Sequence, residues 1–451
     1  MNINKAMGTK RKFQPAQVLA ISFLAAILTG TVFLMLPFST HDGHMSLSDA
    51  LFTSTSAVCV TGLIVQDTST HFKIAGKIVI LILFQLGGLG IMTFSTLILL
   101  VSGKQISFKD QILIKEGYHP SGAKNVKELI KNIFIYTIVM ESLGILILFL
   151  RWRGDFFGPQ AFVQALFHSV SAFCNAGFSL FGDSFVVYRS DVVVNLTLMS
   201  LIVLGGIGFL VLQEIKLAFA SRIKQRRFHL SLHTRLVVTI TLVLIIVPGL
   251  LFLILEWNGS MGGYALKEKI LSSFFQVITA RTAGFNTMDL NSLGFAVIFL
   301  LIFLMFIGAS PGSTGGGIKT STIGVLTAFL RSKIQAKESI NMFRRTLPLD
   351  VVTKAFTLVI LSISVIFVAS FLLFITQPGA TMHAVFFEAF SAFGTVGLSL
   401  GITPELTDAS KIILILTMYI GRIGPLTLLY AFSRAKAYGR FDYSEEKVMI
   451  G

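Results

Sequence analysis

Four times along this chain a phenylalanine is followed ten residues later by a glycine, and each copy lies between two long apolar stretches. The copies read Phe52-Thr-Ser-Thr-Ser-Ala-Val-Cys-Val-Thr-Gly62, Phe167-His-Ser-Val-Ser-Ala-Phe-Cys-Asn-Ala-Gly177, Phe274-Phe-Gln-Val-Ile-Thr-Ala-Arg-Thr-Ala-Gly284 and Phe387-Glu-Ala-Phe-Ser-Ala-Phe-Gly-Thr-Val-Gly397. An aliphatic or aromatic residue follows each glycine (Leu63, Phe178, Phe285, Leu398), and a small one stands five before it (Ala57, Ala172, Thr279, Ala392). Successive glycines are 115, 107 and 113 residues apart, close to a quarter of the 451-residue chain. Glycine is common in membrane helices, but that does not explain four copies in step with flanking apolar pairs. Such a repeat predicts one pseudo-fourfold object built around an axis.

The solvent for this object is lipid. Apolar residues make up 54% of the chain and charged residues 13%, with 42 phenylalanines, whereas a solvated surface needs more charge. Eight stretches approach the roughly 20 apolar residues that cross a bilayer: 18–36, 78–101, 129–150, 193–212, 236–255, 295–307 with its continuation, 355–374 and 412–432. The first follows Lys10-Arg11-Lys12. It is too long for a signal h-region and lacks a small-x-small cleavage site, so it counts as a span.

The net charge of +15 comes from 37 basic and 22 acidic residues. The basic residues avoid the repeats and gather at the N-terminus, 104–131, 222–235, 331–354 and 434–440. These are alternate connections, which is the positive-inside pattern. It predicts cytoplasmic termini and repeats that open from the outer side, and it removes the nucleic-acid reading of a basic chain. Cys59 and Cys174 occupy equivalent repeat positions and give no disulfide framework. The Asn195-Leu-Thr197 sequon lies inside a span.

Each quarter therefore reads as span, amphipathic half-helix, glycine turn, span. The segment 48–57 is long enough for about two to three helical turns and too short and polar to cross a bilayer. Non-helical backbone at membrane depth survives only where protein or a water-filled cavity satisfies it. Glycine reaches backbone angles that L-residues avoid, so the carbonyls of Val60, Thr61 and Gly62 can face a common axis. The same positions are Asn175, Ala176 and Gly177, then Thr282, Ala283 and Gly284, then Thr395, Val396 and Gly397. Half-helices aiming their negative ends at the centre favour a cation there, and rings of carbonyls that replace a hydration shell are how potassium filters work. The expected fold is an all-α membrane protein of four tandem units, with eight transmembrane helices and four re-entrant half-helices around a pseudo-fourfold pore. The units are 13–103, 124–220, 232–330 and 350–435, followed by a cytoplasmic tail, 436–451.

The second span of each unit carries small residues: Gly87-Gly-Leu-Gly90, Gly205-Gly-Ile-Gly208, Gly315-Gly-Gly-Ile-Lys319 and Gly421-Arg-Ile-Gly424-Pro425. In the first two, close helix packing accounts for them. The third differs: 308–317 has five glycines, a proline and no apolar face, so a helix cannot run through it. Ala309, Ser310, Pro311, Gly312, Ser313, Thr314, Gly315, Gly316 and Gly317 are read as an intramembrane gate below the filter. A phosphate loop would need Gly directly before Lys, and Ile318 stands there instead. Arg422, deep in the last span, is a functional candidate by default, with a structural ion pair to Glu141 or another buried acid as the alternative. Glu141 itself reads as a buried hydrogen-bonding group, with a coupling or proton site as the alternative, His168 and Glu388 as braces for their half-helices, and Arg281 as a holder of the third turn's carbonyls. No grouping suggests zinc or hydrolysis, so the chain reads as no enzyme, with no catalytic residue and no covalent cofactor.

These four units, with single filter glycines, a glycine-rich loop in the third and an Arg in the fourth, resemble the Trk/Ktr/HKT superfamily of potassium transporters over essentially the whole chain. Eight spans without an additional N-terminal pair are closest to the Ktr membrane subunit. The resemblance implies that potassium is the substrate bound at the filter carbonyls and that sodium is a stimulating ion. It implies a homodimer in a bacterial-type plasma membrane, docked on a cytosolic ring of nucleotide-binding regulatory subunits. The alternative is a coupled secondary transporter of another solute with a midplane site, a class that commonly uses inverted repeats.

Overall fold

A computed structural model describes residues 15–90, 126–223, 229–432 and 446. The N-terminal basic run, the end of the second span beyond Gly90, most of the 104–131 cluster and nearly all of the 434–451 tail lie outside the described residues. Each unit opens on a long helix: α1 (Pro15–Met35), α4 (Val126–Trp152), α8 (Leu232–Leu255) and α12 (Leu349–Thr376). Their apolar windows have mean hydropathies of 2.4 to 3.0, and only 28–33% of each window is buried within the protein. The rest is aliphatic and aromatic surface such as Val32, Ile138, Leu242 and Phe367. Hydrocarbon accepts such a surface, and helices suit it because they satisfy their backbone internally. The protein is a helical membrane protein.

A short helix follows each long one: α2 (Leu47–Val58), α5 (Gly158–Cys174), α9 (Leu266–Thr279) and α13 (Met382–Gly394). Ser46 caps α2 by accepting from the Asp49 amide, and α5 carries proline in its first turn. The repeated phenylalanines Phe52, Phe167 and Phe387 are buried, and Phe274 is partly buried. Each short helix packs on the closing helix of the unit before it. Thus α5 meets α3 (Ile74–Leu89), α9 meets α6 (Val192–Gly206), α13 meets α10 (Phe295–Phe306), and α2 meets α14 (Asp408–Ile423) to close the circle. The apolar core follows the same seams. One cluster joins Phe52 and Phe84 to Phe393 and Met418, a second joins Phe173 to Phe275, and a third joins Leu301 to Phe387.

The closing helices of units two and four depart from the sequence expectation, because they are broken where continuous spans were expected, whereas the break at the third unit's glycine-rich loop was expected. α6 and α7 (Phe209–Ile223) meet at 102°, α10 is separated from α11 (Thr320–Ile334) by the glycine-rich loop, and α14 stops at Gly424 before α15 (Pro425–Phe432). α3 ends at Gly90. Gly90, Gly208 and Gly424 have φ of 75°, 98° and 91°, values a right-handed helix cannot contain. The preceding glycines do pack closely, since a Cβ on Gly87, Gly205 or Gly421 would strike the carbonyl of Val58, Phe173 or Phe393. The small residues thus serve both purposes. One further departure from an all-α chain is a hairpin of two-residue strands, β1 (Asn341–Met342) and β2 (Arg345–Thr346).

Candidate functional site

Beyond each short helix the chain makes the same turn. The residue two before the glycine is left-handed in every copy: Val60 at φ 56°, Asn175 at 60°, Thr282 at 80° and Thr395 at 49°. The glycines follow at 90°, 72°, 77° and 90°. Between them the Thr61, Ala176 and Val396 amides turn back to the carbonyls of Ser56, Ser171 and Ser391 at 2.7, 2.8 and 2.9 Å, and Ala283 bonds Thr279 at 2.8 Å. With the amides committed to the helices, the carbonyls are left over. Among the described residues no hydrogen bond ends on the carbonyls of the twelve residues from two before each glycine to the glycine itself.

The four turns meet at one place. A Cβ on Gly62 would lie 2.6 Å from the Ala176 oxygen, one on Gly177 2.9 Å from that of Ala283, and one on Gly284 2.5 Å from that of Val396. A Cβ on Gly397 would strike the Thr61 oxygen and complete the circle. Glycines more than 100 residues apart in sequence therefore stand as neighbours in the order 62, 177, 284, 397, with room for no side chain. Free carbonyls converging in this way can replace water around a bare cation.

The loop 308–317 lies against these turns. A Cβ on Gly315 would strike the Thr282 hydroxyl, and one on Gly316 that of Thr395. The Thr314 hydroxyl accepts from Asn175 Nδ2 at 3.0 Å and donates to the Phe173 carbonyl at 3.1 Å. Ser310 N and Thr314 N donate to the carbonyls of Gly206 and Gly205 at 2.9 and 3.2 Å, and Phe209 N donates to Gly312 at 3.0 Å. The neck is closed by a bridge between Ile307 and Ile318. Ala309 N donates to Gly316 at 3.3 Å, and the Ser313 hydroxyl to Ser310 at 2.6 Å. The Pro311 carbonyl presses on Gly208, where a Cβ would lie 2.6 Å away, which is why the α6–α7 corner needs glycine.

Arg422 holds two of these elements. Its Nη1 donates to the Thr314 carbonyl at 2.6 Å and its Nη2 to the Gly87 carbonyl, so the guanidinium ties the loop to the last turn of α3. It does not pair with Glu141, which instead accepts from Gln85 Nε2 at 3.0 Å while Cys174 Sγ donates to Gln85 Oε1 at 3.0 Å. Among the described residues the Arg281 guanidinium bonds none of the third turn's carbonyls, and its buried Nε has no partner. That expectation is corrected.

The TrkH family, described as cation transport protein, matches residues 4–440. This chain belongs to the TrkH family. It is 41% identical to the Ktr system potassium uptake protein B of Bacillus subtilis over 98% of its own length and 97% of that protein's. It is 36% identical to the potassium/sodium uptake protein NtpJ of Enterococcus hirae over 98% of each. The crystal structure of the potassium transporter TrkH from Vibrio parahaemolyticus shares its fold with a TM-score of 0.75 at 21% identity, over 95% of this chain and 87% of that one.

Three features of this TrkH-family chain were not drawn from its sequence. Lys319, used there only to dismiss a phosphate loop, donates from Nζ to the Gly315 and Gly316 carbonyls at 2.7 and 3.5 Å, a second cation on the loop. Serines six before the glycine support their turns. Ser56 and Ser391 accept from Gly62 N and Gly397 N at 3.0 and 3.1 Å, and Ser171 donates to the Phe178 carbonyl at 2.9 Å. The signal was present, since three of four copies carry serine there and the third carries Ile278. Of the left-handed residues only Asn175 is of a type that favours that region, and Val60, Thr282 and Thr395 carry no such mark.

Proposed function

We propose that this chain is a plasma-membrane potassium uptake pore, its path running through the ring of Gly62, Gly177, Gly284 and Gly397. In this reading the four long helices and the four closing helices are the eight spans, and the short helices are re-entrant. The carbonyls of Val60, Thr61, Asn175, Ala176, Thr282, Ala283, Thr395, Val396 and the four glycines take the place of potassium's hydration shell. The negative ends of four helices add a field that favours a cation and repels an anion. Below the ring, the loop from Ala309 to Gly317 and Arg422 form the gate: a steric plug carrying fixed positive charge in the path of a cation. Both termini face the cytoplasm, two copies assemble, and a cytosolic nucleotide-binding ring moves the loop. Sodium stimulates uptake, a reading supported by the relative named for both ions. The observation that carries this proposal is the closed contact of four glycines from four units, which gives a coupled transporter with inverted halves no support. The test is rubidium influx into liposomes holding purified protein, with sodium and choline as comparison ions. Rubidium influx that exceeds sodium influx and is absent with choline is expected, and equal influx of all three would overturn it.

A further inference from the structure

The position nine before the filter glycine is Thr53, His168, Phe275 and Glu388 in the four units, and the position two after it is Ile64, Ser179, Asn286 and Ser399. A polar group at the first position occurs with serine at the second in units two and four, and the structure shows why. His168 is fully buried; its Nδ1 bonds the Gln164 carbonyl at 2.9 Å, and its Nε2 receives the Leu180 amide at 3.0 Å with the Ser179 hydroxyl at 3.1 Å. The ring stacks on Phe181 with centroids 4.6 Å apart. In unit four the Thr403 hydroxyl donates to Glu388 Oε1 and lies 2.9 Å from the Ser399 hydroxyl. Both serines also hold the segment beyond, with Phe181 N donating to Ser179 Oγ and Gly401 N to Ser399 Oγ, each at 3.0 Å. The sequence assigned His168 and Glu388 to bracing their own short helices. They reach further, from the helix to the segment outside the glycine.

Units one and three build the same helix and turn without this device. Phe275 is buried and apolar there, and the Thr53 hydroxyl has no partner among the described residues. A polar residue at this position is therefore not a requirement for folding a unit. In the ring order 62, 177, 284, 397, the braced glycines 177 and 397 are not neighbours and stand on opposite sides of the axis. We propose that His168 with Ser179, and Glu388 with Ser399 and Thr403, are selectivity-determining positioning residues that stiffen the filter along one diagonal. Rigid support matters because distinguishing potassium from the smaller sodium by carbonyl spacing requires walls that resist collapse. The inference rests on the filter reading of the glycine ring.

The experiment compares Ser179→Ala, Ser399→Ala, their double variant, Glu388→Gln, Glu388→Leu and the control Thr53→Val in liposomes, reading sodium influx against rubidium influx. Each serine variant is expected to raise the sodium-to-rubidium ratio about fivefold, the equivalent of one net hydrogen bond. The double variant is expected to multiply the two effects, because the sites share no partner. Glu388→Gln keeps an acceptor for Thr403 and stays near the parent ratio, Glu388→Leu does not, and Thr53→Val changes nothing. A second readout is the melting temperature of detergent-solubilised protein in potassium against sodium, where the parent is stabilised more by potassium and the double serine variant is not. An unchanged ratio and an unchanged potassium stabilisation in a monodisperse double variant would overturn the proposal, as would Glu388→Gln leaking as much as Glu388→Leu. Should the parent itself carry no rubidium, the pore reading fails, and the thermal comparison alone decides whether the braces shape an ion site.

Discussion

At the scale of single residues the ring is defined by what cannot be there. Each of the four ring glycines combines a positive φ with a neighbouring unit's carbonyl where a Cβ would stand, so conformation and space exclude a side chain independently. Gly62→Ser forces its Cβ onto the Ala176 oxygen, and Gly397→Ser forces its own onto that of Thr61. Neither change disturbs the long helices, so both proteins are expected to reach the membrane while the carbonyl ring distorts. The sodium-to-rubidium influx ratio should rise by about tenfold or more, about 1.4 kcal/mol of lost discrimination. An unchanged ratio and unchanged apparent potassium affinity in Gly62→Ser would remove Gly62 from the filter. The four glycines were legible as a repeat because a glycine at fixed register leaves a mark in the sequence. The left-handed residues two positions earlier were not. Val60, Thr282 and Thr395 are β-branched, and local preference keeps such residues out of this region. Amide bonds back to each short helix and the contact of four units together hold them there, and no single segment encodes that contact.

At the scale of elements, legibility followed how much of the cause was local. The four short helices could be read because length, amphipathicity and the glycine behind them all lie within about a dozen residues. The third unit's loop could be read because five glycines and a proline overwhelm any helical preference. The corner at Gly208 and the stop at Gly424 were missed, because one glycine in an apolar run looks like a packing residue. What turns it into a corner is a remote atom, as the Pro311 carbonyl does at Gly208. The loop and Arg422 make a testable pair at this scale. Arg422→Ala removes two charged bonds to carbonyls, worth between about 0.6 kcal/mol each, as for interhelical bonds in membranes, and about 3 kcal/mol each. Rubidium influx without any partner should therefore rise several-fold. Deleting Ser313–Gly316 removes four of the nine residues from Ala309 to Gly317 and should raise it more. The deletion also removes Thr314, the loop residue that Arg422 holds, so the two changes share an interaction and cannot add. The combined variant should run no faster than the deletion alone. Full multiplicative addition of the two effects would mean that Arg422 acts elsewhere, and no rise in either variant would leave the loop as a packing break.

At the scale of the whole molecule, the seams between units explain why one polypeptide makes the ring. Each short helix packs on its predecessor's closing helix, so the circle closes only when α2 meets α14 from opposite ends of the chain. Ion pairs such as Arg151–Asp191 and Lys411–Asp49 lie at the end of the units where the short helices begin, and the connection between α11 and α12 forms the opposite surface. On that surface lies the hairpin of β1 and β2, carrying exposed Arg344 and Arg345 directly after α11, the helix that leaves the loop. Its strand neck fixes Arg344 at a φ of 63°, presenting the pair as a short, ordered feature. From this side α11 runs back to its N-cap residue Lys319, whose Nζ donates to the loop carbonyls of Gly315 and Gly316. If the cytosolic ring works the gate, this is the lever that the fold offers, and the contact would be electrostatic. Reversing both residues, Arg344→Glu with Arg345→Glu, changes the local charge by four units without touching a buried side chain. Co-purification of the ring is then expected to fall at low salt, with the variant's melting temperature unchanged. For the parent, the same loss should appear as salt is raised, because exposed charge pairs are screened within about 10 Å at 0.1 M. Undiminished co-purification at moderate salt would show that the ring docks elsewhere, and it would leave the positive-inside rule as sufficient cause for both arginines.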